Sequence, residues 1–369
     1  MSEVKKRKVV IASVLKPVDD TRMYEKLGIS LASIPDVEVH VIGFPACSKS
    51  VSSIKFHQLR FFKRLSAKRL FVPWKILSLT VKLKPALFII TTHELLLVSS
   101  IAKLLTGCKI IYDVQENYER NILYTNAFPP VIRGVISRYV GVKQLLLSRF
   151  VDHFFLAEKS YEQELSFLGN RKTILENKLM SAPINKRERK NHSFNLLFSG
   201  TLAESTGVFT AIQIAIGLHQ LSSKVRLTII GYAAKGHTLK EIRQLAESHS
   251  FITLIGGDNL VPHKQILEYI DNSDFGIIAY PPNPSTAGSV PTKLYEYIGR
   301  QLPIILINHT PWVDFCKQYN AAVVFNYAEI DYPTLFNQMN QSDFYTIDPK
   351  EVFWQSEEPK LLKAVKTII

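Results

Sequence analysis

Short apolar runs alternate with longer amphipathic ones along the whole chain. "KVVIASV", "VEVHVIGF", "ALFIIT", "KIIYDV" and "HFFLA" in the first half predict buried strands, each four to eight residues long and rich in Val and Ile. "FNLLFSG", "RLTIIG", "FITLIG", "FGIIAY", "PIILI" and "AAVVF" predict the same in the second half. Between them, "RMYEKLGISLASI", "TGVFTAIQIAIGLHQLS" and "HTLKEIRQLAESHS" carry helical periodicity. Near-continuous apolar strands alternating with helices predict parallel sheets covered on both faces. The charged run "APINKRERKNHS", residues 182–193, interrupts the pattern and predicts a linker. The prediction is therefore two doubly wound Rossmann-like α/β domains facing across a cleft. The first covers residues 1–182, the linker 183–193, the second 194–349, and a helix over 350–369 packs back on the first domain. Ligands of such domains sit at the carboxyl ends of the strands.

A length of 369 residues suits two such cores. The three cysteines (Cys47, Cys108, Cys316) are scattered without metal spacing, which predicts a reducing compartment. The opening "MSEVKKRKVVIASVL" reads as a first strand rather than a leader, because "KPVDDTR" follows where a cleavage site would stand. Charge changes the picture more. Residues 1–185 hold 28 Lys and Arg against 15 Asp and Glu, whereas residues 186–369 hold 17 of each. No acid occurs between Glu38 and Glu94, a gap containing "FHQLRFFKRLSAKRLFVPWKILSLTVKLK". Interleaved basic and aromatic residues suit an anionic membrane, with Arg60, Lys63, Arg64, Lys68 and Arg69 as the membrane-facing cations and Phe56, Phe61, Phe62, Phe71 and Trp74 beside them. No nucleic-acid motif accompanies the charge.

Three stretches carry candidate chemistry. In "LLFSGTLAESTGVFTAI" a strand ends at Gly200-Thr201 and a helix opens near Ser205–Gly207. Glycine lets backbone approach a ligand, and the free N–H groups of a helix start attract anions. The stretch matches neither a dinucleotide fingerprint nor a P-loop. In "PTKLYEYIG" Lys293 and Glu296 stand three apart on one helix face, with Thr292 as a cap. A lysine there can neutralise phosphate and a carboxylate can accept the hydroxyls of a ribose; the same spacing also fits a solvated ion pair. "KIIYDVQENYERN" puts Asp113, Gln115 and Glu116 at the end of a strand, where either ligand contacts or loop capping would place them. Metal-ligating clusters and hydrolase triads are absent from the sequence pattern.

Taken in order, these stretches resemble glycosyltransferase family 4, of the GT-B fold, over nearly the whole chain. "VVIASVLKPVDDTRMYEKLGISLAS" resembles the first strand and its loop, and "TTHELLLVSSIAKLLTGCKIIYDVQENY" resembles a subgroup pattern spanning two strands. "FSGTLAESTGVFTAI" resembles the phosphate loop, "VPTKLYEYIGRQLPII" the P-x-K-L-x-E-Y segment, and "VFWQSEEPKLLKAV" the closing helix. The resemblance implies retaining, metal-independent transfer from a nucleotide-diphosphate sugar to a glycan or lipid-linked acceptor, with no further cofactor. Glu296 then matches the ribose-binding carboxylate. Lys293, Gly200 and Thr201 fall near the diphosphate, with Lys293 and Gln115 catalytic. Arg22 matches a donor-side arginine. The chain departs from the pattern at Gly288, where the family has glutamate; at Thr201 and Thr206, in place of phosphate-binding Arg and Lys; and at Gln115, in place of His. Cell-surface polysaccharide synthesis at the inner face of a bacterial-type membrane is the implied setting. A nucleotide-sugar epimerase and a non-catalytic partner on the same fold are the alternatives.

Overall fold

The computed structural model describes residues 6–46, 51, 53–62, 66–125, 128–180, 194–341 and 343–369. The predicted linker 183–193, Cys47, Lys63 and Arg64 lie outside the described residues. The chain divides into two compact units. The first holds residues 1–180, 284–289 and 354–369; the second holds 181–283 and 290–353.

The first unit carries strands β1 (Arg7–Pro17), β2 (Val37–Phe44), β3 (Ile54–Gln58), β4 (Leu87–Ile90), β5 (Lys109–Val114), β6 (His153–Leu156) and β7 (Lys172–Ile174). They form one parallel sheet in the order β3-β2-β1-β4-β5-β6-β7. Strand alternation sorts β1 into two cores: Val9 and Ile11 face one way, Val10 and Ala12 the other, all fully buried. Its helices are α1 (Ile29–Ala32), α2 (Lys68–Leu83), α3 (Leu95–Thr106), α4 (Tyr118–Tyr124), α5 (Pro130–Leu147) and α6 (Tyr161–Glu164). The predicted helix over "RMYEKLGISLASI" begins as a π-helical turn, Thr21–Gly28, whose first amides Arg22 N–H and Met23 N–H donate to the Asp20 carboxylate at 3.0 Å.

The second unit carries α7 (Val208–Leu221), α8 (Gly236–Ser248), α9 (His263–Asp271), α10 (Thr292–Gly299), α11 (Thr310–Lys317) and α12 (Tyr332–Gln341). Its strands are β8 (Phe194–Thr201), β9 (Val225–Tyr232), β10 (Ile252–Gly257), β11 (Phe275–Ile278), β12 (Ile304–Ile307) and β13 (Ala322–Phe325). They are parallel, in the order β10-β9-β8-β11-β12-β13. In each unit the third, second, first and fourth strands are neighbours, so the winding reverses beside the first strand. Ligands of doubly wound sheets bind at such a reversal. The last helix, α13 (Glu358–Ile368), belongs to the first unit, where Leu361, Val365 and the preceding Trp354 are fully buried. Trp354 Nε1–H donates to Ser30 Oγ at 2.9 Å.

Candidate active site

The reversal in the second unit lies between β8 and β11. Gly200, next to last in β8, has a φ of +110° that favours glycine, and a Cβ there would stand 2.9 Å from Lys293 Cε. Lys293 thus lies directly over the strand end. The loop that follows closes on itself. Thr206 Oγ1 lies 2.8 Å from the carbonyl oxygens of both Thr201 and Ala203, and accepts from Ala203 N–H at 3.2 Å. The Thr206 side chain therefore shapes the loop. Gly207 (φ +82°) then turns the chain into α7 against the carbonyl of Ala279, just past β11, at a distance no Cβ permits. The amides at the start of α7, of which Val208 N–H donates to the Ala203 carbonyl at 3.4 Å, are brought to the reversal by that contact.

α10 supplies the charged groups. Pro291, not Thr292, is its N-cap, and Leu294, Tyr295, Tyr297 and Ile298 are buried in the unit's core. Lys293 Nζ donates to Glu296 Oε2 at 2.6 Å, with side chains only 15% and 6% exposed. A solvated surface pair is thereby ruled out. On the far side His263, the first residue of α9, brings Nε2 to 3.4 Å from Glu296 Oε1. Burial alone would raise the Glu296 carboxyl, but Lys293 and His263 outweigh it and hold it far below the ordinary carboxylate range. Burial, then the Glu296 charge, pushes the Tyr280 phenol up to about 12, so it remains a neutral hydrogen-bonding group. Tyr297 OH and Ser199 Oγ, 2.9 Å apart, brace α10 against the end of β8. Gly200, Thr201, Lys293 and Glu296 are therefore gathered at one strand end, with a buried carboxylate, an ammonium and a helix start. That set can receive a diol and an anion.

The first unit gathers a second polar group at the ends of β1 and β5. Lys16 Nζ donates to Gln115 Oε1 at 2.5 Å and approaches Asp20 at 3.2 Å. Gln115 Nε2 donates to Asp113 Oδ2 at 2.7 Å, which fixes the amide's orientation. Arg22, expected on the donor side, lies beneath this group. It is 1% exposed, its Nε and Nη2 donate to Asp113 at 2.6–3.1 Å, and its Nη1 donates to the Leu175 carbonyl at 2.8 Å. With its fork engaged and no surface of its own, Arg22 holds Asp113, which in turn orients Gln115. Past β4, Lys143 Nζ lies 2.7 Å from His93 Nδ1, and Arg69 Nε donates to Glu94 at 2.8 Å. Burial lowers His93 to about 4 and Lys143 to about 8. Gly288 of this unit faces Ser160, where a Cβ would meet Ser160 Cβ at 2.8 Å, so a longer side chain has no room.

Lys16, His93 and His263 were not singled out by sequence. Each follows a predicted strand, and that position was the available signal. The residues expected to face a membrane divide. Arg60 and Lys68 are exposed, whereas Arg69 is half-buried and ion-paired to Glu94. Phe56 sits on β3 edge-on to Tyr24 at 5.1 Å and Phe62 is buried, so neither reaches solvent freely; Phe61, Phe71 and Trp74 do. Cys108 and Cys316 are buried free thiols. Among the described residues, no helix is long and apolar enough to cross a membrane, and no three His, Cys, Asp or Glu side chains are grouped to hold a metal.

Comparison with solved structures places this architecture. Sucrose-phosphate synthase from Thermosynechococcus elongatus superposes with a TM-score of 0.70 at 11% identity, covering 98% of this chain and 99% of that one. Anabaena HepE in complex with UDP and glucose matches at 0.66 and 12%, covering 98% and 100%. The E. coli trehalose-6-phosphate chain bound with UDP-2-fluoro glucose matches at 0.60 and 11%, covering 98% and 95%. The chain has the GT-B fold. No family model and no curated protein sequence matches it. At these identities the likeness speaks to the fold alone.

Proposed function

We propose that the protein is a retaining glycosyltransferase of the family 4 type, moving a sugar from a nucleotide-diphosphate donor to a glycan or lipid-linked acceptor. The observation that carries the reading is the buried Lys293–Glu296 pair lying over Gly200 at the β8 reversal. Glu296 accepts the ribose hydroxyls as charge-assisted hydrogen bonds. Lys293 and the amides at the start of α7 receive the diphosphate. As the bond from the sugar's anomeric carbon to the phosphate oxygen breaks, charge grows on the leaving diphosphate, and these fixed donors stabilise it. The acceptor oxygen bonds to the same face of that carbon, and its proton passes to the departing phosphate. Gln115, held by Lys16 and Asp113, positions the sugar by hydrogen bonding, since an amide does not titrate. Solved structures of the same fold carry UDP, which supports a nucleotide donor. The acceptor in this reading belongs to cell-surface polysaccharide synthesis at the cytoplasmic face of the membrane, with the protein held there peripherally.

A second reading, a nucleotide-sugar binder without turnover, rests on Gly288 and Thr206. The first leaves no room for a second carboxylate, and the second replaces a phosphate-binding cation with a hydroxyl engaged in its own loop. Incubating the purified protein with UDP-, GDP- and ADP-sugars, with and without membrane lipid extract, separates the two. Released nucleoside diphosphate supports the transferase. Donor binding without release supports the binder, and neither binding nor release refutes both.

A further inference from the structure

We propose that α2, α3 and α5 together form a face that inserts apolar side chains into an anionic lipid bilayer. The inference deepens the membrane part of the proposed function and rests on no step of its chemistry. Its origin is α5, which is amphipathic the wrong way round. Val131, Val135, Tyr139, Val142 and Leu146 recur at helical spacing along one stripe, and all are exposed, Val131 by 90% and Val135 by 74%. The opposite face is buried and largely polar. Ser137 donates to the Glu119 carbonyl at 2.9 Å, Gln144 to Tyr112 OH at 3.2 Å, and Lys143 reaches His93. A helix that turns Ser137 and Gln144 inward, with Val140 between them, and three of its four valines outward is matched to an apolar exterior rather than to water.

The neighbours continue the face. α3 packs against both α2 and α5. Every exposed position of α3 is a leucine: Leu97, Leu104 and Leu105, with Leu104 77% exposed. On α2 the exposed stripe is Leu70, Phe71 and Trp74, with Leu70 at 72%. Trp74 and Tyr139 have the amphipathic rings that favour a lipid headgroup level.

Charge decides the occupant. The three helices contain eight Lys and Arg and no Asp or Glu. Lys68, Lys75, Lys82 and Arg138 are exposed among or beside the apolar stripes. A second copy docked on this face would bring two all-basic surfaces together, which is repulsive. An anionic bilayer complements both the apolar stripes and the cations around them.

The test is co-sedimentation with vesicles of phosphatidylcholine alone and of phosphatidylcholine with phosphatidylglycerol. The variant is V131S/V135S/V142S, whose changes lie at exposed positions. The wild type should bind the anionic vesicles, weaken as salt rises, and shift its Trp74 emission to shorter wavelength with quenching by brominated acyl chains. The variant should partition at least tenfold less while keeping its melting temperature and its thermal shift with nucleoside diphosphates. Equal vesicle binding by the two proteins, or none by the wild type at low salt, overturns the proposal. So does a wild-type dimer in analytical ultracentrifugation that the same substitutions dissociate, because the face then belongs to a second copy. Vesicle binding without any nucleotide shift supports the face and counts against the transferase reading alone.

Discussion

Removing Glu296 and Lys293 one at a time and together distinguishes a ligand-binding pair from a structural one. The two groups are 2.6 Å apart and nearly out of water. Glu296→Ala leaves the Lys293 ammonium buried without its carboxylate, and breaking such a pair costs about 3–5 kcal/mol. For a unit of this size, each kcal/mol moves the melting midpoint by about 2–4 °C. The single variant should therefore melt roughly 6–20 °C below the wild type. The double variant Lys293→Met/Glu296→Leu removes both charges and refills the space with apolar groups, which is commonly neutral or stabilising. Its midpoint should return to within a few degrees of the wild type. Nucleotide binding should not return with it. Hydrogen bonds to a charged acceptor are worth about 1.5–3 kcal/mol, so the dissociation constant should rise at least tenfold even in the well-folded double variant. Scanning fluorimetry gives the midpoints and isothermal calorimetry the affinities. A double variant that recovers its melting temperature and binds nucleotide like the wild type would refute the donor-site argument and leave the pair a piece of core.

Arg22→Ala should destabilise the first unit by about 3–5 kcal/mol in a denaturant titration, because Asp113 loses its buried partner; nucleotide affinity of the folded protein should be unchanged. Lys143 gives a pH signature, since burial lowers it to about 8 in the folded protein against an ordinary value of about 10.4. Between those values the unfolded chain binds the extra proton, so the wild type gains stability as pH rises through that window. Lys143→Met should accordingly raise the melting temperature at pH 7, and the advantage should shrink between pH 8 and 10; an advantage independent of pH would contradict the burial argument. Donor turnover should survive EDTA, since Lys293 and the α7 amides carry the phosphate charge in this reading; loss of turnover restored by magnesium or manganese would count against it.

Strand–helix alternation made most of the architecture legible, because parallel strands buried on both faces leave short Val/Ile runs that few other settings tolerate. β3 escaped notice since its sequence, "IKFHQ", alternates polar and apolar at the sheet edge and lies in the basic tract. β7 is only three residues long. At the site, the strand-end glycine and the helix-start lysine and glutamate were readable from position, but their burial was not, because i, i+3 spacing is the same for a solvated pair. His263 reaches Glu296 across a turn of tertiary structure that local sequence does not encode. The Arg22 partner was hidden for the same reason: Asp113 is 91 residues away, and only the sheet brings them together. The basic tract misled in part, since a charge run does not say which aromatic among it turns inward.

The central claim is that Glu296 holds a donor's ribose. Calorimetry with the best-bound nucleoside diphosphate of a panel and its 2′,3′-dideoxy counterpart, on the wild type and on Glu296→Gln, tests it most directly. The Gln variant keeps the side chain's shape and removes its charge. The account predicts that the wild type binds the dideoxy compound at least tenfold more weakly, and that the Gln variant discriminates between the two compounds much less. Equal discrimination by both proteins would place the ribose elsewhere and contradict the claim.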